Sequence, residues 1–283
     1  MVQGWKGIRV ADKLVTVEWV AEHGGDANVR LVEVDVDTEA YNEGHIEGAI
    51  AWNWTTQLQD QQRRDILTRE GIEALLGASG ISNETPIVLY GDNNNWFAAY
   101  ALWLLELYGH DNVSLMDGGR VKWLADNRST TKAVPSPAAT SYQAKDANAG
   151  LRAKRDDVLR VVNNGGVQLI DVRSPAEFTG EVLAPPGMTE TAQRGGHIPG
   201  AMNVPWARAV NEDGTFKSAD DLKALYGGVG LQADGAAIAY CRIGERSSHT
   251  WFVLKHILGM SDVRNYDGSW TEYGSLIDVP IER

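Results

Sequence analysis

Two stretches of the 283-residue chain, "IVLYGDNNNWFAAYALWLLELYGHDNVSLMDGGRVKW" (87–123) and "AIAYCRIGERSSHTWFVLKHILGMSDVRNYDGSWTEY" (237–273), are copies of one pattern. Equivalent residues keep an offset of 150, as Tyr90 and Tyr240 do, and as Gly109 and Gly259 do. A repeat of this length indicates a duplicated structural unit, so the fold of one copy predicts the fold of the other.

The similarity continues upstream of both stretches. "LVEVDVDTEAYNEGHIEGAIAWNW" (31–54) resembles "QLIDVRSPAEF" (168–178) followed by "GHIPGAMNVPW" (196–206). One copy spans about 130 residues, which suits a whole domain and not a solenoid repeat. We therefore predict two tandem domains, 1–128 and 151–283, joined by a small, polar, Pro-containing linker at 129–150.

Within each copy, short apolar runs alternate with helix patterns. In the second copy, "VQLIDV" and "AAIAY" are typical of buried strands, and "SADDLKALYG" begins with a Ser N-cap and acids. "SSHTWFVLKHIL" places Trp251, Leu254 and Leu258 on one face of an amphipathic helix. This alternation predicts an α/β fold in which each domain is a mainly parallel sheet flanked by helices on both faces.

The overall charge limits the partners. Asp and Glu number 38 against 26 Lys and Arg, which gives a net charge of -12 and a pI of about 4.9. Binding to phosphate backbones or to anionic membrane surfaces needs a basic field, so neither nucleic acid nor a membrane is expected as a partner. A small anionic substrate is compatible with this charge if positive groups are concentrated at one site.

Cys241 is the single cysteine. It cannot form an internal disulfide, and cysteine-rich metal sites are excluded. The N-terminus has no secretion signal, and no stretch approaches the roughly 18 apolar residues of a membrane span. We expect a cytoplasmic protein.

The position of Cys241 predicts a reactive thiol. It follows a buried strand and precedes a helix, at the edge where open α/β sheets bind ligands. Gly244 allows the short "RIGER" loop to curl around the sulfur, and its N–H groups would favour an anion. The helix N-terminus, Arg242 and Arg246 are expected to lower the thiol pKa from about 8.5. The alternative is a small buried apolar cysteine, which the charged neighbours disfavour.

The first copy lacks this chemistry. Gly91 stands at the position of Cys241, Asp92 at that of Arg242 and Trp96 at that of Arg246. The first domain is therefore predicted to be non-catalytic.

The chain resembles the tandem-domain rhodanese family, the thiosulfate and mercaptopyruvate sulfurtransferases. The resemblance covers nearly the whole chain and rests on "GHIPGA" (196–201) with its echo "GHIEGA" (44–49), "DVRSPAEF", "YCRIGERSS" and "NYDGSWTEY". The C-terminal third resembles actinobacterial-type thiosulfate sulfurtransferases, which carry a CRIGERS loop.

The resemblance implies a sulfur transfer from thiosulfate to cyanide or a thiol, without metal or organic cofactor. Cys241 would be the nucleophile that carries the sulfur as a persulfide. The resemblance also implies substrate-binding residues in the loop, namely Arg242, Ile243, Gly244, Glu245, Arg246 and Ser247, together with Arg173 from the "DVR" element. Arg194, Asp171 and Trp270 are implied at the pocket rim. A monomer is the expected state.

Two positions depart from the animal thiosulfate enzymes. Ile243 stands where these have a lysine, and Glu177 where they have a second arginine. The loop is also unlike the Cys-Gly-Ser-Gly pattern of mercaptopyruvate enzymes, so thiosulfate stays the preferred donor and 3-mercaptopyruvate the alternative. An insertion at 179–195, where the first copy has only "NE", is predicted to pack in the cleft between the domains, to cover part of the pocket and to bring Arg194 near the donor.

Two other function classes compete. Cysteine phosphatases also use a Cys…Arg anion cradle, but with a Cys-x5-Arg spacing, whereas Cys241 and Arg246 have Cys-x4-Arg. A non-catalytic binding module would suit the first copy and not the second. Sulfur transfer without phosphatase turnover would separate these alternatives.

Overall fold

The computed structural model describes residues 13–187 and 192–283, which divide into two compact units. Within the described part, one unit comprises the residues up to Asn148 together with Glu212–Thr215, and the other comprises Ala149–Asn211 and Phe216–Arg283. The predicted domain limits, 1–128 and 151–283, stay a prediction.

A five-stranded parallel sheet forms the centre of the first unit. Its strands are β1 (Leu14–Val15), β2 (Arg30–Asp35), β3 (Ile50–Asn53), β4 (Ile87–Tyr90) and β5 (Val113–Met116). They lie in the order β1-β5-β4-β2-β3. All residues of β4 and β5 are buried, as expected for parallel strands covered on both faces.

Six helices follow the strands of the first unit. They are α1 (Val17–His23), α2 (Glu39–Glu43), α3 (Trp54–Gln57), α4 (Arg69–Ala78), α5 (Trp96–Leu107) and α6 (Gly119–Ala125). The Oγ1 atoms of Thr16 and Thr68 cap α1 and α4, because each accepts a hydrogen bond from a free N–H of the first turn.

The second unit repeats this arrangement with four parallel strands. They are β6 (Gln168–Asp171), β7 (Met202–Asn203), β8 (Ala237–Tyr240) and β9 (Val263–Tyr266), in the order β7-β6-β8-β9. An isolated parallel bridge between Arg152 and Asn265 stands where the first unit has its edge strand β1. The predicted parallel sheets with flanking helices are confirmed in both units.

The helices of the second unit are α7 (Arg155–Asn164), α8 (Pro175–Phe178), α9 (Ala219–Gly227), α10 (Glu245–Phe252) and α11 (Ser269–Tyr273). A π-helical turn at Val253–Ile257 continues α10.

The prediction of an amphipathic helix after Cys241 is wrong for α10. Every residue of α10 is buried, since the helix packs against β8 and β9 on one side and the turn Trp206–Ala209 on the other. Exposure begins only in the π-turn and directly after it, where Lys255 and Leu258 are half-buried.

The segment predicted as a linker, 129–150, lies against the first unit over much of its length. Thr131 forms a bridge with His45, Tyr142 and Ala144 are buried, and the Thr140 N–H donates to the Gly77 carbonyl at 2.9 Å. This segment therefore packs on the first unit through backbone hydrogen bonds and buried side chains.

No helix in the described ranges is long and apolar enough to cross a bilayer.

Candidate active site

Cys241 comes directly after β8, and backbone contacts fix it on both sides. Its N–H donates to Ser269 Oγ at 3.0 Å, and its carbonyl accepts from the N–H of Trp270 at 3.1 Å. Both partners lie at the start of α11, which follows β9. The end of the neighbouring strand therefore sets the position of the cysteine, whose side chain is fully buried.

The loop curls around the sulfur through Gly244. This residue has a φ of 106°, and its N–H lies 3.1 Å from Cys241 Sγ. A Cβ atom at this position would lie 2.9 Å from the Cα of Asp267, so only glycine fits. The prediction that Gly244 provides the unusual backbone conformation is confirmed.

Buried polar side chains hold the loop in this conformation. The Gly244 carbonyl accepts hydrogen bonds from Ser248 Oγ and Asn265 Nδ2 at 2.7 and 3.3 Å. Ser247 Oγ donates its single hydrogen to Asn265 Oδ1 at 2.6 Å. A network in which each hydroxyl and amide has a partner is rigid, so the N–H of Gly244 stays directed at the sulfur.

The thiol pKa differs from the expectation. The Cys241 thiol donates to Glu245 Oε2 at 3.3 Å. Burial raises the pKa of Cys241, and the Glu245 carboxylate raises it further, while Arg246 and Ser247 lower it without reversing the shift. The predicted lowering of the pKa is therefore wrong for the resting site, because sequence reasoning allowed for the arginines but not for complete burial beside an acid.

Arg246 is paired with a carboxylate from another element. Its Nη1 and Nη2 donate to the two carboxylate oxygens of Glu177 on α8, both at 3.0 Å. Burial alone would raise the pKa of Glu177, but the bonds from Arg246 and Ser174 hold it below its usual value. Both side chains are almost fully buried, and their opposite charges cancel. The pair therefore presents no net charge to Cys241 Sγ.

Arg173 is likewise a buried member of a pair. Its Nε lies 3.0 and 3.1 Å from the two oxygens of Asp171, and its Nη2 donates to the carbonyl of Gly196 at 2.7 Å. The guanidinium stacks over Trp270, with 4.7 Å between Cζ and the ring centroid. A fully buried cluster beside the end of β8 is thus formed by Asp171, Arg173 and Trp270.

The remaining predicted residues fall into two places. Arg242 and Ile243 are buried in the loop and Ser247 is buried in the first turn of α10, and the Arg242 carbonyl accepts from the N–H of Thr271 at 3.0 Å. Arg194 instead binds three carbonyls of the C-terminal segment, those of Gly274, Leu276 and Val279. The insertion 179–195 that carries it includes 188–191, which lie outside the described residues.

Sequence reasoning missed Ser269, Asn265 and the role of Glu177. Ser269 has a φ of 53°, and so has Gly119, its equivalent in the first copy. A serine at a left-handed position where the other copy has glycine was a readable signal. Asn265 and Glu177 gave no comparable signal, since their contacts join elements far apart in sequence.

The equivalent position in the first unit has no room for a thiol. A Cβ atom on Gly91 would lie 2.3 Å from the carbonyl oxygen of Val34 and 2.6 Å from Asp35 Oδ1. The Gly91 N–H donates to Asn95 Oδ1 at 2.9 Å. In neither unit do the described residues place three or more His, Cys, Asp or Glu side chains where they could hold a metal ion.

Comparison with known proteins gives consistent results. The family described as "Rhodanese-like domain" matches residues 16–126 and 154–276. A Haloferax volcanii protein named "Putative thiosulfate sulfurtransferase" is 56% identical over 277 residues, 96% of each chain. The "Sulfur carrier protein TtuD" of Thermus thermophilus is 50% identical over 274 residues, 95% of this chain and 96% of that one. The crystal structure of SseA from Escherichia coli, a 3-mercaptopyruvate sulfotransferase, has a TM-score of 0.77 and 27% identity, covering 91% and 98% of the two chains.

Proposed function

The chain belongs to the rhodanese sulfurtransferase family, and from this premise we propose that it moves a sulfane sulfur from thiosulfate to cyanide or a thiol through a persulfide on Cys241. The observation that carries the proposal is the Gly244 N–H, which lies 3.1 Å from Cys241 Sγ at the start of α10. A backbone donor and a helix N-terminus both favour negative charge on that sulfur.

The proposed reaction has two halves. In the first, Cys241 bonds to the outer sulfur of thiosulfate, the S–S bond of thiosulfate breaks, and its electron pair leaves with sulfite. In the second, the acceptor takes the outer sulfur, and the electron pair of the persulfide bond returns to Cys241. Backbone N–H groups of residues 242–247 would stabilise the negative outer sulfur between the two halves.

The first unit is proposed to be non-catalytic. The close approach of Val34 and Asp35 to Gly91 leaves no space for a cysteine side chain. Burial and the neighbouring Asp92 also raise the pKa of Asp35 to about 10, so this carboxyl group is protonated at neutral pH. With Asp92 at the position of Arg242 and Gly91 at that of Cys241, the loop offers an anionic sulfur donor neither a thiol nor a positive side chain.

The ion pairs favour 3-mercaptopyruvate as a second candidate donor. Glu177 neutralises Arg246, and Asp171 neutralises Arg173, so less positive charge is available for the dianion thiosulfate than the arginine count implies. A donor with a single carboxylate needs less compensation. Steady-state kinetics with both donors at fixed acceptor concentration would rank them by kcat/KM.

Mass spectrometry of the intact protein tests the proposal. After incubation with thiosulfate and removal of excess donor, the protein should gain the mass of one sulfur atom. The gain should disappear on addition of cyanide, with thiocyanate formed in equal amount. Cys241→Ser, which removes the single thiol, is the matched control and should gain nothing. Hydrolysis of a phosphate ester by the protein, without any sulfur adduct from either donor, would contradict the proposal.

A further inference from the structure

Glu245 is in direct contact with the reacting atom. It is the first residue of α10, and its Oε2 accepts the thiol hydrogen of Cys241 across 3.3 Å. Across residues 13–187 and 192–283, it is the one ionisable side chain that hydrogen-bonds to the sulfur. Both side chains are buried, so water does not compete for this proton.

We infer that Glu245 is a catalytic residue that takes the proton from Cys241 when the sulfur attacks the donor and returns it when the sulfur has been passed on. The inference rests on the proposed sulfur transfer. In the first half, the S–H bond breaks, the proton moves to Oε2, and the sulfur electron pair forms the bond to the donor sulfur, expelling sulfite. In the second half, the acceptor removes the outer sulfur, and the released thiolate recovers its proton from Glu245.

The geometry of the carboxylate suits this role. Glu245 Oε1 lies 3.5 Å from Arg246 Nε, while Oε2 faces the sulfur. Arg246 is in turn held by Glu177 through two hydrogen bonds. One carboxylate oxygen therefore faces the Arg246 guanidinium and the other is directed at the proton that it would accept, as general-base catalysis requires.

The nearby histidine does not fit the role. Burial lowers the pKa of His249 to about 3, and its ring stacks on Phe216 with 4.7 Å between centroids. The stacking contact holds the ring in place, and within the described residues the hydrogen bonds of Cys241 Sγ are with Glu245, Gly244 and Ser269 and not with this histidine.

The comparison between the two copies supports the pairing of acid and thiol. Asn95 stands at the position of Glu245, in the unit that has Gly91 at the position of Cys241. Its side chain makes structural bonds only to the backbone, accepting from the Gly91 N–H and donating to the Met116 carbonyl. The carboxylate is therefore present in the copy that has a proton to accept and replaced by an amide in the other.

A spectator carboxylate predicts the opposite result when it is removed. Burial and Glu245 together raise the pKa of Cys241, so a Glu245 that merely sits beside the sulfur would suppress the thiolate. Glu245→Gln would then make Cys241 more reactive at neutral pH. If Glu245 accepts the proton, the same substitution makes Cys241 less reactive. The sign of the change separates the two roles.

The pH dependence can be assigned because the other acids near the loop are paired. The titratable and charged groups on the elements packed against Cys241 come from the loop, α10, the end of β6, the turn after β9 and α11: Arg242, Glu245, Arg246, His249, Asp171, Arg173, Asp267 and Glu272. Asp171 is bonded to Arg173, Asp267 to Arg152, and Glu272 to the Tyr266 hydroxyl, so Glu245 is the carboxylate among them that faces the thiol.

The test compares wild type, Glu245→Gln and Glu245→Asp in two measurements across a pH series. The first is single-turnover persulfide formation with thiosulfate, followed by intact mass. The second is alkylation by a neutral haloacetamide, which reports the same thiol without sulfur transfer, since Cys241 is the single cysteine. Glu245→Gln should be about 10²–10⁴-fold slower near neutral pH in the first measurement, the usual range for loss of a general base. It should also be slower in the second.

Alkaline pH supplies the folding control. The rate of Glu245→Gln should rise about tenfold per pH unit and approach the wild-type rate once the thiol ionises unaided. Glu245→Asp, which keeps a carboxylate, should fall between the two. A glutamine variant as fast as wild type at neutral pH, faster than it, or equally slow at every pH would each overturn the inference. If wild type forms no persulfide but Glu245→Gln is alkylated more slowly than wild type, the proposed function is refuted and the proton transfer to Glu245 remains supported.

Discussion

Replacing Glu177 by glutamine removes the charge that balances Arg246 and leaves the shape of the side chain. The two side chains are 1% and 3% exposed, and both oxygens of Glu177 accept from Arg246 at 3.0 Å. Removing one partner of a buried ion pair typically costs about 3–5 kcal/mol, because the remaining charge is buried without compensation. Glutamine keeps one acceptor oxygen, and Glu245 Oε1 remains 3.5 Å from Arg246 Nε. We therefore expect the lower end of this range, about 3 kcal/mol, or roughly a hundredfold in the unfolding equilibrium.

Urea denaturation measures this loss. Of the ten tryptophans, Trp206, Trp251 and Trp270 lie in the second unit, so fluorescence reports the unfolding of both units and the loss is read from the transition that shifts between wild type and variant. With an m-value of about 2 kcal/mol/M, a loss of about 3 kcal/mol lowers the midpoint by about 1.5 M. Glu181→Gln, at an exposed position of the same unit, is the matched control and should change stability by less than about 0.5 kcal/mol.

A double variant tests the reason for the loss. Glu177→Leu combined with Arg246→Met removes both charges, and such hydrophobic replacements of buried pairs are often neutral. The double variant should therefore be more stable than the sum of the two single losses by about 2 kcal/mol or more. Additive losses, or a Glu177→Gln variant within about 1 kcal/mol of wild type, would refute the argument that the pair neutralises a buried charge.

Acidification should show the same interaction. Glu177 has a lower pKa in the folded protein than in the unfolded chain, where it is about 4.3. The stabilisation from this carboxylate is therefore complete above the unfolded-state pKa and is lost as the pH falls through the lower folded-state pKa. Glu177→Gln lacks it, so the stability difference between wild type and variant should shrink as the pH is lowered through that range.

Two further substitutions test the loop. Gly244→Ala should destabilise the protein by about 1–3 kcal/mol and slow persulfide formation. Gly230→Ala is the control, because Gly230 also has a positive φ, 94°, but a Cβ atom there would meet nothing within 4 Å, so this variant measures the backbone strain without a clash. Equal losses of stability in thermal denaturation would contradict the clash of residue 244 with Asp267. Ser269→Ala removes the acceptor of the buried Cys241 N–H and should lower the free energy of unfolding by about 1–3 kcal/mol in urea denaturation. Ser261→Ala, at an exposed position, is the control and should leave this free energy unchanged. An unchanged free energy of unfolding for Ser269→Ala would mean that the Cys241 N–H finds another partner.

The scaffold was predictable because the repeat and the strand–helix alternation are local signals. An offset of 150 equates β4 with β8 and β5 with β9, and both units have the expected parallel sheets. The position of Cys241 at the end of β8 and the turn at Gly244 follow from the same pattern. Each of these features depends on residues close together in the chain.

The electrostatics of the site could not be predicted in the same way. Whether Arg246 faces solvent, a donor or Glu177 depends on how α8 lies against α10, and the two residues are 69 positions apart. Complete burial of α10 was also hidden, because its serines and charged residues are polar and find their partners inside the protein. The direction of the shift in the Cys241 pKa depends on that burial. The wrong prediction of an amphipathic, partly exposed helix therefore led to the wrong prediction of a lowered thiol pKa.

The paired arginines change what can stabilise a negative sulfur. Arg246 and Arg173 stand beside the reactive strand, yet Glu177 and Asp171 offset their charges at hydrogen-bonding distance. The Gly244 N–H, directed at Cys241 Sγ by its bonded carbonyl, is a donor that no carboxylate neutralises. Fixed backbone dipoles in a buried site stabilise charge without rearranging, and they act on either sulfur of a persulfide. We therefore expect the backbone N–H groups of the loop to stabilise the negative sulfur, and the paired arginines to hold the loop in its conformation.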